Sequence, residues 1–255
     1  MVLRNLPVLA DYSDGDDTGP FRPAAAGDDV REGVITDAEY RVTEGSFVHD
    51  GTRIRQGFLD PSDDTIHAAW TQEAGAGAGS FSKSAGVTTI TVNAGVTSEW
   101  TNGTYNARRL EMSLPSYRDW DLYFHRTDDG AINDQGTHCC CHFGGSDANF
   151  VNFQALRTGG ADKLLVYRGV STILYNINNG ATASWNRMAY QGGTVYMLYF
   201  NGAIGVTPTE AQWIEIARYS PTWALHNVKV FVGALNIAGL PGCTPQIGPV
   251  TITYL

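Results

Sequence analysis

Long apolar runs are missing from this 255-residue chain. No stretch approaches the roughly 20 apolar residues that a membrane-spanning helix needs, so a helical span is not expected. Clustered basic residues are missing as well. The 17 Lys and Arg form no run and are outnumbered by 26 Asp and Glu, giving a net charge of −9. That balance disfavours nucleic acid and anionic membrane, both of which reward grouped cations. Charged residues amount to only 17%, whereas 29 Gly and 10 Pro supply turns, so long helices with salt-bridged faces are not expected either. The four cysteines do not form the spaced set of a disulfide scaffold: Cys139, Cys140 and Cys141 are adjacent and Cys243 lies far downstream. Free thiols are expected. Pro7 and Asp11 interrupt anything like the ~7–15-residue apolar segment of a secretory signal, which predicts synthesis and retention in a cytoplasm unless lysis releases the protein.

What the chain has is β pattern. Trp185 to Tyr190 and Thr194 to Phe200 are rich in aromatic and β-branched residues, and Gln191-Gly192-Gly193 between them supplies the positive φ angles of a tight hairpin turn. Asn201-Gly202 then predicts a further turn, with Ala203 to Val206 folding back as a third strand. Val195, Met197 and Tyr199 share one face and Tyr196, Leu198 and Phe200 the other. Both sets are apolar, which predicts a central strand covered on both faces, with Trp185 in the core.

Further strands are expected at Val87–Val92, Arg109–Leu114, Asp121–Arg126, His138–Phe143, Val151–Leu156, Leu164–Tyr167, Thr172–Ile177, Val228–Leu235 and Val250–Leu255. The segment from Pro208 reads either as a short helix to Ala217 or as a strand from Trp213 to Tyr219. Short strands at this spacing predict an all-β sandwich or barrel. Three regions follow: an extended Pro/Asp/Ala-rich arm at 1–32, a small β-meander and Gly-rich spacer at 33–80 with a turn at Asp50-Gly51, and the main domain at 81–255.

The Trp-led strand, polar turn and Asn-Gly ending resemble the centre of laminin-G-like, concanavalin A-type lectin and glucanase jelly rolls. RRLEMSLPSYRDWDLYFHRT upstream is similar to the early strand pair of such domains, and VKVFVGALN with GPVTITYL to their closing strands, so the likeness covers residues 86–255. It implies an antiparallel two-sheet jelly-roll sandwich. The superfamily includes lectins, glucan hydrolases, adhesion modules and tailed-phage virion proteins, among which the fold does not choose.

Retaining glucanases of this kind carry paired acids on one strand face, near ~5 Å apart. No such run exists here: Glu111 and Glu215 stand alone, Asp119 and Asp121 flank a turn entry, and no G-x-S-x-G is present. Catalytic residues are therefore expected to be absent, with a divergent glycoside hydrolase as the outsider.

HCCCH is the oddest local feature. Strand alternation puts His138, Cys140 and His142 on one face, a zinc-compatible set, but alternate residues lie ~6.5–7 Å apart and a fourth ligand is missing nearby. The plainer expectation is a core strand with Cys139 and Cys141 inward and the histidines at the surface or hydrogen-bonded. Asp128, Asp129 and Asp134, with Asn133, are the candidates for a rim calcium of the kind laminin-like domains carry. The acidic run Asp11 to Asp17 lacks an EF-hand register and reads as a solvated tether. Neither metal is favoured and no cofactor is expected. Trp100, Tyr117, Trp120, Tyr219 and Trp223, with Tyr105, lie near expected turns and are the candidates for stacking on sugar rings.

These features predict a non-enzymatic virion accessory protein, whether capsid decoration, head fibre or tail-associated. Residues 1–32 would contact other virion proteins in a homo-oligomeric assembly, since alone they bury too little to offset their conformational entropy. The jelly roll would face outward toward a host-surface glycan, without nucleic-acid or membrane partners. The alternative is a lectin-type carbohydrate-binding module.

Overall fold

The computed structural model describes residues 47–49, 54–59, 63–75, 77–101, 103–114, 119–127, 135–158, 161–169, 172–178, 183–223, 227–237 and 241–254. The expected arm at 1–32, the Asp50-Gly51 turn, Tyr117 and the calcium candidates Asp128, Asp129, Asn133 and Asp134 lie outside the described residues. Among the described residues no helix is long and apolar enough to cross a membrane.

Among the described residues, two antiparallel sheets face each other. The first has ten strands. Its main path runs β1 (Phe47–His49), β2 (Ile54–Leu59), β19 (Thr251–Tyr254), β9 (Trp120–Thr127), β14 (Ala183–Gln191), β15 (Thr194–Phe200) and β16 (Ile214–Tyr219). A branch adds β18 (Gln246–Ile247), β5 (Val87–Val92) and β4 (Gly79–Ser84) through β9. The second has seven strands in the order β13 (Thr172–Asn178), β12 (Ala161–Arg168), β11 (Phe150–Thr158), β10 (Gln135–His142), β17 (Lys229–Asn236), β8 (Arg108–Ser113) and β3 (Thr71–Glu73). A small hairpin of β6 (Trp100–Thr101) and β7 (Thr104–Tyr105) belongs to neither. The protein is an all-β antiparallel sandwich with jelly-roll layering.

Alternation builds the core. On β9 the even positions Trp120, Leu122 and Phe124 point inward, where they meet Met188 and Tyr190 of β14, Val195 and Met197 of β15 and Ile252 of β19. From the facing sheet come Cys139, Cys141, Val230, Val232, Phe153 and Val166, all buried. Interdigitation of two such apolar faces is the main stabilising term, with each large side chain contributing about 1.5–3 kcal/mol.

The hairpin is as expected: Gln191 pairs with Thr194, and Gly192 and Gly193 have φ of 54° and 84°. Three expectations are corrected. Ala203–Val206 forms no strand; β15 pairs instead with β16, and residues 201–213 cross over the outer face of the sheet. The outer members of β15, Tyr196, Leu198 and Phe200, are half-buried, because only the inner face meets the other sheet. Trp185 is buried, but on that outer face under the crossing segment, outside the main core.

The expected boundary at residue 81 falls within β4. β2 pairs with β19, β3 with β8 and β4 with β5, so residues 54–84 supply strands to both sheets. The glycine-rich segment also has packing reasons for its composition. A side chain at Gly79 would collide with the Thr91 carbonyl oxygen, and one at Gly77 (φ 96°) would meet Val96. The Pro208 segment resolves into a short 3-10 turn, Glu210–Gln212, followed by β16.

Candidate functional site

The outward positions of β9 and β14 carry Asp121, Tyr123 and His125 beside Arg187 and Trp185, all on one face. The 201–213 crossing adds Glu210 and Trp213. Arg187 sits at the centre. Its Nε and Nη2 donate to Asp121 Oδ1 and Oδ2 at 2.8 and 2.6 Å, a bidentate fork, and its Nη1 donates to Glu210 Oε2 at 2.8 Å. Burial works against the guanidinium's charge, but the bonds it donates to Asp121 and then Glu210 outweigh it and hold the pKa above its ordinary value. Burial raises the Asp121 pKa, against the opposing bonds and charge from Arg187.

Aromatic rings surround this cation. Trp213 lies under the guanidinium, 5.4 Å from ring centroid to Cζ. Tyr123 is 6.2 Å from Trp213 and 6.4 Å from Trp185, and His125 meets Trp185 edge-on at 5.4 Å. Two bonds dock the crossing segment onto the face: Trp185 Nε1 donates to Ala203 O at 3.0 Å, and His125 Nε2 to Gly202 O at 3.1 Å. Burial lowers the His125 pKa, which favours its neutral form. Tyr123 and Trp213 remain partly exposed. The result is a rigid amphipathic surface with a fixed cation, suited to a ligand that has both an apolar ring face and polar substituents.

Of the sugar-stacking candidates, the structure removes two. Trp100 and Trp120 are each 0% exposed. Trp120 points between the sheets, and Trp100 is wedged over the outer face of the seven-stranded sheet against Phe231 and Tyr105, with Arg109 4.6 Å from its ring. Turn proximity misled here, because β6–β7 folds down onto the sheet as a cover. Tyr105 joins the same cluster, half-buried. Tyr219 and Trp223 do come together, 5.7 Å apart, with Arg168 over Tyr219 and Phe143 behind Trp223. Both pack partly into the core.

The HCCCH strand is fully buried. Cys139 and Cys141 point inward as expected, and of the two alternatives for the histidines the hydrogen-bonded one holds for His138, because the β6–β7 hairpin covers both rings. Asn152 Nδ2 donates to Trp100 O at 2.8 Å and to His138 Nδ1 at 3.0 Å. Cys140 packs among Trp100, Phe150 and Phe231. His142 Nε2 is 3.4 Å from Glu111 Oε2. Among the described residues no group of three or more His, Cys, Asp or Glu is placed to hold a metal ion.

Each acid considered for catalysis has a partner. Glu111 is bound by Arg109 at 2.8 Å and Lys229 at 2.7 Å. Burial opposes its charge, yet the bonds from His142, Lys229 and Arg109 prevail and hold its carboxyl well below the usual range. Asp119 accepts from the Gly192 N–H at 3.0 Å, and Glu215 pairs with Arg218 at 2.7 Å.

Arg187, Tyr123 and Trp213 were not singled out in the sequence. The available signal is the alternation in WDLYFH, where Trp120, Leu122 and Phe124 alternate with Asp121, Tyr123 and His125.

No protein-family model matches the sequence, and no curated protein sequence matches it. Solved structures share its fold. A functionally unknown protein from Saccharomyces cerevisiae is 11% identical with a TM-score of 0.54, covering 74% of this chain and 97% of that one. The CBM2 module of the evolved Dit of Lactobacillus casei BL23 phage J-1 is 7% identical with a TM-score of 0.55, covering 78% and 96%. The GH43 protein BlXynB from Bacillus licheniformis is 10% identical with a TM-score of 0.59, covering 77% of this chain but only 39% of its own length. At these identities the likeness is one of fold.

Proposed function

We propose that this protein is a non-enzymatic, virion-associated module of a tailed phage that binds a host-surface saccharide on the outer face of its ten-stranded sheet. The observation that carries the reading is the Tyr123–Trp213 aromatic pair set beside an Arg187 that two carboxylates hold in place. Sugar rings present apolar C–H faces to aromatic planes and hydroxyls to fixed polar groups, and this face offers both. Fold likeness to a module of a phage Dit protein supports the virion setting. Saturation of Glu111, Asp119, Asp121 and Glu215 by their own partners supports a binding role without catalysis. Residues 1–32 anchor the protein to neighbouring virion subunits.

A glycan array followed by calorimetry tests this. Trp213→Ala and Tyr123→Ala should each weaken saccharide binding tenfold or more while leaving the circular dichroism spectrum unchanged. Deleting residues 1–32 should retain saccharide binding and abolish incorporation into particles. Incorporation by the truncated chain would instead favour a free lectin-type module. Polysaccharide hydrolysis that Asp121→Asn removes would replace the reading with an enzymatic one.

A further inference from the structure

We propose that the saccharide taken by this face is an acidic one, a uronic acid-type sugar whose carboxylate replaces Glu210 on Arg187. The inference rests on the saccharide-binding reading and names its ligand class.

The two carboxylates on Arg187 differ in kind. Asp121 is buried on β9 and engages Nε and Nη2 together, which fixes the plane and direction of the guanidinium. Glu210 engages Nη1 alone, from the 3-10 turn of the crossing segment, with a side chain 84% exposed. An ion pair of the second sort contributes little and is readily exchanged, because water solvates the released carboxylate almost as well as the cation did. The cation cannot be switched off, since arginine keeps its charge at any accessible pH. With Glu210 swung into solvent, Nη1 is left as a pre-oriented donor on a side chain 11% exposed, beside the Trp213 and Tyr123 rings.

A ligand carboxylate restores the geometry and charge that Glu210 provided, while the sugar ring that bears it lies against the aromatic pair. A neutral hydroxyl would restore only a weaker bond. The chain's net charge of −9 repels polyanions at long range, so the preference has to be a contact effect at Arg187.

The test uses the full chain on an array in which oligomers of galacturonate, glucuronate-containing chains and mannuronate are each printed beside their methyl-esterified counterparts, with affinities of the best pair then measured by calorimetry. The acidic member should bind at least tenfold more tightly than its ester. Glu210→Gln, a change at an exposed position, should raise affinity for the acidic member severalfold more than for the ester. Arg187→Lys should narrow the difference between the two, with its thermal melt reported alongside. Equal binding of acid and ester, or a Glu210→Gln variant with no gain in the acid-to-ester ratio, overturns the acidic-ligand inference and leaves the saccharide reading standing. If none of the uronates, esters or neutral glycans binds in a Trp213-dependent way, both fail.

Discussion

Cys139 and Cys140 are neighbours in the chain, yet their side chains lie in different apolar clusters on opposite sides of one strand: Cys139 between the sheets with Phe153 and Val232, Cys140 outside with Trp100 and Phe231. Both thiols are fully shielded, and burial pushes the pKa of each well above the ordinary value. Thiolate is the reactive form. A disulfide-exchange reagent should therefore label none of the four thiols in native protein at pH 8 and all four after denaturation, the other two being the buried Cys141 and Cys243. Rapid labelling of the native state would contradict the burial.

His138 makes the protein acid-sensitive. Burial pushes its pKa from 6.5 down to about 4. Between those values the unfolded chain takes up a proton that the folded one does not, so stability rises with pH through this window and is lost as pH falls from about 6.5 to about 4. By linkage the loss is on the order of 3 kcal/mol. Urea titrations at pH 7 and pH 4.5 should show it. His138→Gln should flatten the difference between the two pH values, whatever its effect on absolute stability.

Glu111 extends the acid sensitivity below that window. Its carboxyl is held well below the usual range, so the stabilisation it supplies is complete above the unfolded-chain value of about 4.3 and declines as pH falls further. Glu111→Gln should leave the stability lost between pH 6.5 and 4.5 unchanged, and reduce the slope of stability against pH below about 4.

The two carboxylates of Arg187 should separate in stability as they do in exposure. Asp121→Ala strands a buried guanidinium and should cost about 3–5 kcal/mol in urea unfolding. Glu210→Ala removes a surface pair and should cost about 1 kcal/mol or less. Equal costs would mean that the inner fork does not hold the arginine.

Trp100 and Trp213 should show opposite phenotypes. Trp100→Ala empties the cover over β10 and β17, and a loss of about 3–5 kcal/mol is expected. Trp213, half-exposed beside Arg187, should change the melting temperature little and saccharide affinity strongly.

Local pattern by itself determined the β class, most strand positions and the β14–β15 hairpin, because side-chain alternation and the two positive-φ glycines act over a few residues. It also placed Cys139 and Cys141 inward, since the core face of β10 follows from period 2 once the strand is recognised. Only the tertiary structure decided what covers each face. Trp100 and Trp120 are polar-tipped aromatics near turns, and nothing in their neighbours tells a folded-down hairpin from a solvent-facing loop. Residues 201–213 carry a turn signal that suits a third strand, but the bonds from Trp185 and His125 hold the segment across the sheet, and β16 takes the vacant edge. Pairings such as β2 with β19 join segments nearly two hundred residues apart, and their register depends on backbone hydrogen bonds that no local window contains. The platform at Arg187 is of the same kind: strands β9 and β14 bring Asp121 and Arg187 side by side, and the fixed cation exists only once that long-range pairing has formed.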